Sequence, residues 1–163
     1  MKEPDRSTSK ASLTIPSMIG PITVVADGDY ITEIHIGRRR PGRDETPLLL
    51  ETKKQLDAYF ARRLTIFDLP TEPRGSDFER RLWRALERIP YGAVRTYGAL
   101  AREVDSIPRA IGGACGANPI PIVIPCHRVI GSNSLGGYSG GDGVATKRKL
   151  LALEQPDLLS GLS

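Results

Sequence analysis

Asn118-Pro119-Ile120-Pro121-Ile122-Val123-Ile124-Pro125-Cys126-His127-Arg128-Val129 is the stretch that organises this chain. Its apolar residues, Ile120, Ile122, Val123 and Ile124, read as a strand that carries the chain inward and ends at Pro125. A thiol and an imidazole follow at once. A thiol at the end of a buried, proline-stiffened segment is held in place, so its neighbours set its reactivity. Successive side chains on an extended chain point to opposite faces. Cys126 and His127 therefore meet only if a turn folds them together or a water bridges them. Two readings stand side by side. A buried free cysteine is most often an inert small hydrophobe; a single thiol with a histidine is also the pattern of a nucleophile.

Upstream, Ser76-Asp77-Phe78-Glu79 has the spacing of a capping box. Phe78, Leu82, Leu86 and Ile89 then form one apolar face, with Trp83 and Ala85 beside it, as far as Pro90. Tyr91-Gly92 breaks this helix. Thr96 to Val104 predicts a second helix, Asp105 to Pro108 a turn, and Pro108 or Arg109 the start of a third. Two short helices about a tight turn are the helix-turn-helix pattern. The third helix carries Gly112, Gly113 and Gly116, each costing ~1 kcal/mol against alanine, so tertiary contacts must hold it. It offers almost nothing to base edges in a major groove. Its nearly flat surface suits close approach to a duplex backbone or minor groove, or equally close packing against another helix.

Downstream, Gly136 to Gly143 is glycine-rich but lacks the Gly-Lys-Ser/Thr end of a phosphate cradle. The last helix is apolar at Leu150, Leu151 and Leu153, and Glu154 by itself reads as an exposed helix-end carboxylate.

The amino-terminal part carries no chemistry of its own. Residues 1–10 read as a disordered start. Ile22 to Ala26 and Tyr30 to Ile36 flank the turn signal Asp27-Gly28-Asp29 and predict an antiparallel hairpin, with Tyr30, Thr32, Ile34 and Ile36 on one face. Gly37 to Thr46 holds four arginines and reads as a solvated loop before a phosphate contact. Pro47 to Arg62 has Leu49, Thr52, Leu56, Tyr59 and Phe60 at helical spacing, and Thr71 to Gly75 is a linker. The expected division is an amino-terminal α/β domain over 1–70, a linker over 71–76 and a mostly α domain over 77–163.

The chain has 163 residues and a formal net charge of +4, within the range of one domain or two small ones. Arginine far outnumbers lysine, which suits phosphate recognition but also fits an ordinary basic surface. Cys115 and Cys126 read as reduced thiols of an intracellular, cytoplasmic protein. Two Cys and two His do not make a metal-ligand spacing, so no metal and no cofactor is expected. No apolar run approaches the ~18 residues of a membrane span, and the polar start lacks a signal-peptide core.

Pro125-Cys126-His127-Arg128-Val129 resembles the active-site motif of the O6-alkylguanine-DNA alkyltransferases. Tyr97 in Thr-Tyr-Gly, Arg109 in Pro-Arg-Ala-Ile-Gly, Asn118-Pro119, Gly137-Tyr138-Ser139-Gly140-Gly141 and Glu154 in Leu-Leu-Ala-Leu-Glu fall in the same order as in that family. The likeness is strong from about Ser76 to Glu154 and weak before it. It implies a ribonuclease-H-like amino-terminal domain, a small antiparallel sheet plus helix, followed by a winged helix-turn-helix-like domain. It implies a monomer that can cluster on double-stranded DNA containing O6-alkylguanine, and an alkyl transfer to Cys126 that occurs once per molecule. His127 would take the thiol proton through a water, with Glu154 orienting the ring. Asn118 would be the hinge to the active-site strand, and Tyr97 would help rotate the nucleotide. Arg109 would fill the vacated stack, on a minor-groove helix that brings Ala110 and Gly113 to the DNA. Val129, Tyr138 and Ser139 would line the base pocket, the Val129 and Cys126 carbonyls accepting from the guanine amino group. The sequence departs from the pattern in a short Tyr97–Arg109 interval and in Asp142-Gly143, which lengthens the loop before the last helix. His35 alone cannot rebuild the zinc site of some relatives. Cys115 reads as a small packing residue.

Overall fold

The computed structural model describes residues 10–157, so the anticipated disordered start lies outside the described residues except for Lys10. Lys10 corrects that reading, because it opens a strand, β1 (Lys10–Ile15). β1 pairs antiparallel with β2 (Ile22–Asp27), placing Ile15 opposite Ile22. β2 pairs antiparallel with β3 (Tyr30–Ile36), giving the order β1-β2-β3. The expected hairpin forms about Gly28, whose φ of 62° suits the two-residue turn.

The expected facing of β3 is corrected. Tyr30 is 46% exposed, whereas Ile31 is fully buried and Ile34 nearly so. A bulge is the cause: Val25 lies opposite Glu33 but Ala26 opposite Ile31. Thr32 is thus an extra residue, and the alternation changes phase across it.

Helix α1 (Pro47–Phe60) is capped by Thr46, whose hydroxyl accepts from the Leu49 N–H, with Pro47 in the first turn. It buries Leu49, Thr52, Leu56 and Tyr59. The expected continuation to Arg62 fails because Arg62 takes a left-handed φ of 60°. The chain after it is no free linker. Ile31 N–H donates to Pro70 O at 2.8 Å and Glu72 N–H to Ile31 O at 2.8 Å, so this segment adds to the β3 edge.

Helix α2 (Asp77–Glu87) forms both halves of its capping box: Glu79 N–H donates to Ser76 Oγ and Ser76 N–H to the Glu79 carboxylate. Strand β4 (Arg95–Thr96), α3 (Tyr97–Glu103) and α4 (Pro108–Gly116) follow. Thr96 caps α3 through the Ala99 N–H. The Trp83 indole N–H donates to Ala114 O at 2.9 Å, tying α2 to α4. β4 pairs in parallel with β5 (Val129–Ile130), and α5 (Val144–Glu154) closes the chain.

Residues 120–124 are not a strand. Ile124 N–H donates to Ile120 O at 2.9 Å, and Ile122 has a φ of 75°. Prolines at 119, 121 and 125 supply no N–H to a ladder, so the segment closes on itself as a turn. A β-branched residue at positive φ costs about 1–3 kcal/mol, and here it stands four residues before the thiol.

One buried cluster joins Leu49, Leu56 and Tyr59 of the first part to Leu86, Ile111 and Ile124 of the second. Backbone bonds cross as well: Ile34 N–H donates to Pro119 O at 2.8 Å and Gly141 N–H to Ile36 O at 3.2 Å. The β3 edge thereby braces both loops that flank Cys126.

Candidate active site

The turn preceding Cys126 is held by one side chain. Asn118 Nδ2 donates to Ile124 O at 2.8 Å and Asn118 Oδ1 accepts from Ile120 N–H at 3.0 Å, and the same amide favours the Cys126 thiolate. Cys126, His127 and Arg128 then form a 3-10 turn. All three are buried, His127 completely. The thiol and the imidazole are therefore carried on a 3-10 turn and not on an extended strand.

Behind the turn lies a closed polar cluster. His127 Nε2 lies 2.7 Å from Glu154 Oε2. Arg128 donates from Nε to Glu154 Oε1 at 2.8 Å, from Nη2 to Oε2 at 3.1 Å, and from Nη1 to Ile89 O at 2.7 Å. The Tyr59 hydroxyl reaches Glu154 Oε2 at 2.5 Å. The Glu154 side chain is only 1% exposed, which overturns the solvent-facing helix-end reading. Burial pushes its carboxyl upward, but hydrogen bonds and charge from His127 and Arg128 outweigh it and hold the group at about 2. Burial also pushes His127 below its ordinary value, against the pull of Glu154. A neutral imidazole donating from Nε2 leaves Nδ1 as an acceptor. That atom is buried and has no hydrogen-bond partner among the described residues.

A cavity of about 280 Å³ is lined by Cys126, Tyr97, Tyr138, Ser139 and Gly137, together with Gly112, Cys115 and Gly116 of α4. A second, of about 190 Å³, shares Cys126, Tyr138 and Ser139 and adds Asn118. A larger one, about 590 Å³, lies between Ile66, Tyr91, Pro125 and Arg128 and does not reach the thiol. Gly136 is required where it stands: its φ is 75°, and a Cβ there would sit 2.7 Å from the Tyr97 hydroxyl oxygen. The Tyr138 hydroxyl is buried without a hydrogen-bond partner among the described residues.

Lys147 is the functional candidate that sequence reasoning missed. It is fully buried, and its Nζ donates to Val129 O at 2.5 Å and Gly137 O at 3.1 Å. Burial lowers its ammonium to about 8. Burial likewise raises the Cys126 thiol, while the Asn118 hydrogen bond and the Lys147 charge draw it back down. Cys115 is pushed up to about 12 by burial and by the neighbouring Cys126, against the pull of the Lys147 charge.

The other expected positions lie around this centre. Val129 is buried and lines neither thiol cavity, its carbonyl already accepting from Lys147. Arg109 is exposed in the first turn of α4, Ala110 is half-buried and Gly113 exposed. No atom lies within 4 Å of where a Cβ would stand on Gly112, Gly113 or Gly116, so helix–helix packing does not account for them. α4 instead buries Ile111 and Ala114 and turns its glycine face to solvent, beside the cavity. Among the described residues no three His, Cys, Asp or Glu side chains are grouped to hold a metal ion, and no helix is long and apolar enough to cross a membrane.

Fold and site together define a helix-turn-helix protein whose buried thiol is backed by a histidine–carboxylate–arginine cluster and fronted by an open, glycine-faced helix. Comparison with known proteins gives that class a family. Residues 77–156 match the 6-O-methylguanine DNA methyltransferase DNA-binding domain, and residues 12–73 match the ribonuclease-like domain of the same proteins. The methylated-DNA–protein-cysteine methyltransferase of Mycobacterium bovis is 44% identical over 151 residues, covering 87% of this chain and 90% of that one. The constitutive methylated-DNA–protein-cysteine methyltransferase of Bacillus subtilis is 39% identical over 140 residues, 78% of this chain and 85% of that one. Mycobacterium tuberculosis OGT, solved in complex with DNA, superposes with a TM-score of 0.80 at 43% identity, covering 90% of this chain and 93% of that one. The chain belongs to the 6-O-methylguanine DNA methyltransferase family, and its two-part architecture is that of the family.

Proposed function

We propose that the protein repairs O6-alkylguanine in duplex DNA by moving the alkyl group, mainly methyl, to Cys126. The observation that carries this reading is the placement of Cys126: it lines a cavity together with the bare glycine face of α4, and it opens the 3-10 turn whose His127 is paired with Glu154.

The thiol is raised by burial, so it is largely protonated at neutral pH and needs a base at or before attack. His127 supplies the base through Nδ1, across a bridging water, and Glu154 stabilises the imidazolium through Nε2. Lys147 and Asn118 favour the thiolate as it forms. Sulfur attacks the alkyl carbon in line, the S–C bond forms, and the C–O6 bond breaks with its electron pair going to guanine. The proton that left the thiol balances the one guanine takes up, with Tyr97 hydrogen-bonding the ring. The products are unmodified guanine and a thioether at Cys126, which hydrolysis does not reverse; each molecule therefore acts once.

A base in a duplex must leave the stack, at a cost of a few kcal/mol. Gly112, Gly113 and Ala110 let α4 approach the minor groove closely, and Arg109 fills the vacated position. Tyr138 and Ser139 wall the flipped base. The working units are 1–70 and 77–163, the second carrying the chemistry, and the protein acts as a cytoplasmic monomer that can cluster on DNA.

Intact mass after incubation with a duplex containing one O6-methylguanine tests the reading. The native protein gains one methyl and saturates there, while Cys126→Ser gains none. Tight lesion binding with no mass change would replace it with damage recognition alone.

A further inference from the structure

Tyr59 belongs to α1, in the amino-terminal part, yet its hydroxyl ends on the carboxylate behind the thiol. It is fully buried, and its ring is fixed on three sides, by Phe60 at 5.2 Å, Phe67 at 5.3 Å and Tyr91 at 6.3 Å between centroids. The oxygen it reaches, Glu154 Oε2, is the one that faces His127 Nε2. Burial and the neighbouring carboxylate push the phenol upward from its ordinary value. At working pH Tyr59 is therefore the donor and Glu154 the acceptor.

We infer that Tyr59 is a positioning residue for the transfer to Cys126, supplied by the amino-terminal domain, which fixes Glu154 Oε2 against His127 and sets how readily that pair takes up a proton. The inference rests on the proposed transfer reaction. Three donors converge on one carboxylate from two elements: Tyr59 from α1, and His127 and Arg128 from the 3-10 turn. A donor to a carboxylate oxygen spreads its negative charge, so less of it is available to hold an imidazolium. Loss of the hydroxyl makes both Glu154 and His127 easier to protonate. The other charged or titratable groups facing this pair are Lys147 of α5, Tyr91, and Tyr138 of the glycine-rich loop. None of them donates a hydrogen bond to Glu154 among the described residues, so none replaces Tyr59.

The test is Tyr59→Phe, which keeps the ring and removes the hydroxyl. Single-turnover methyl transfer from an O6-methylguanine duplex is followed by mass across pH, alongside the ring resonances of His127. The acid limb of the rate profile is expected to move up by roughly half a pH unit or more, so the variant is slowest relative to native at low pH, and the His127 titration moves the same way. A ring-fluorinated tyrosine at position 59, a stronger donor, moves the limb down and covers the case in which Tyr59→Phe folds poorly. A rate profile and His127 resonances superimposable on native would overturn the inference. So would a uniform rate loss without a shift in either, which would mark Tyr59 as packing alone. Native protein that fails to take up methyl would instead overturn the transfer reaction itself.

Discussion

Lys147 and Glu154 are seven residues apart on α5, so they lie on the same helical face as Leu150 and Leu151, and all four are buried. Each charge is kept there by different partners. Lys147 is satisfied by two carbonyls, whereas Glu154 is satisfied by a histidine, an arginine and a tyrosine. Replacing Lys147 with methionine keeps the bulk and removes the charge that favours the Cys126 thiolate. A rise of about one unit in the thiol corresponds to roughly a tenfold loss of thiolate, and single-turnover transfer at neutral pH should fall by about that factor. A rate equal to native would remove Lys147 from the chemistry. Glu154→Gln leaves Arg128 buried without its counter-charge, and should lower stability by about 3–5 kcal/mol in a urea titration. Cys126 with His127 offered a nucleophile pattern by itself, whereas the role proposed for Glu154 rested on the family motif alone. Lys147 was passed over because Thr146-Lys147-Arg148-Lys149 resembles a solvated stretch. The signal was its spacing from Leu150, Leu151 and Glu154, which sets two charges on an apolar stripe. Tyr59 looked like an ordinary core position, and nothing local reveals a partner 95 residues away.

α4 is the element on which stability and function pull apart. Its outward glycines have open space around the missing Cβ atoms, so Gly113→Ala introduces no clash in the free protein. It should stabilise the fold by about 0.5–1 kcal/mol, since alanine loses less freedom on entering a helix. The same methyl groups stand between α4 and anything that approaches its backbone. Gly112→Ala/Gly113→Ala should therefore raise the midpoint of thermal unfolding while weakening duplex binding and slowing methyl transfer. Tighter or unchanged binding would mean that α4 is not the face presented to DNA. The glycines were legible, but their direction was not, because packing and solvent exposure ask for the same residue. Other elements were legible to different degrees. The capping box at Ser76 appears as read, since its partners are three residues apart. β1 went unread although Ala11, Leu13 and Ile15 alternate; the disordered start read over residues 1–10 overlaps it only at Lys10. The proline-rich turn before Cys126 looked like a strand because its side chains are those of one. Its backbone is barred from a ladder by the prolines, and Asn118 takes up the groups left over.

Across the whole molecule, the buried charges give stability a definite dependence on pH. Glu154 is held at about 2, so the stability it contributes is fully present above the ordinary carboxylate value and is lost as pH falls toward about 2. His127 is lowered from its ordinary 6.5 by burial. Below that value the unfolded chain takes up a proton that the folded chain resists, and the folded state loses ground. Lys147 adds the same sign at the alkaline end. Its ammonium is lowered to about 8, so the cost of burying it persists at neutral pH and is relieved as pH rises from there toward 10.5. All three make the fold more stable as pH increases over their own ranges. The cluster also spans both parts of the chain: Tyr59 binds Glu154 from α1, the β3 backbone binds Pro119 and Gly141, and the apolar core is continuous. Protonating the cluster therefore weakens the two parts together. Thermal unfolding should show a midpoint that falls steadily from pH 7 to pH 5. Fluorescence of Trp83, which packs between α2 and α4, should trace the same transition as far-UV circular dichroism of the whole chain. A midpoint independent of pH over that interval would mean that His127 does not resist protonation in the fold. Two separated transitions would mean that the amino-terminal sheet and the active-site domain are held by something weaker than this shared core.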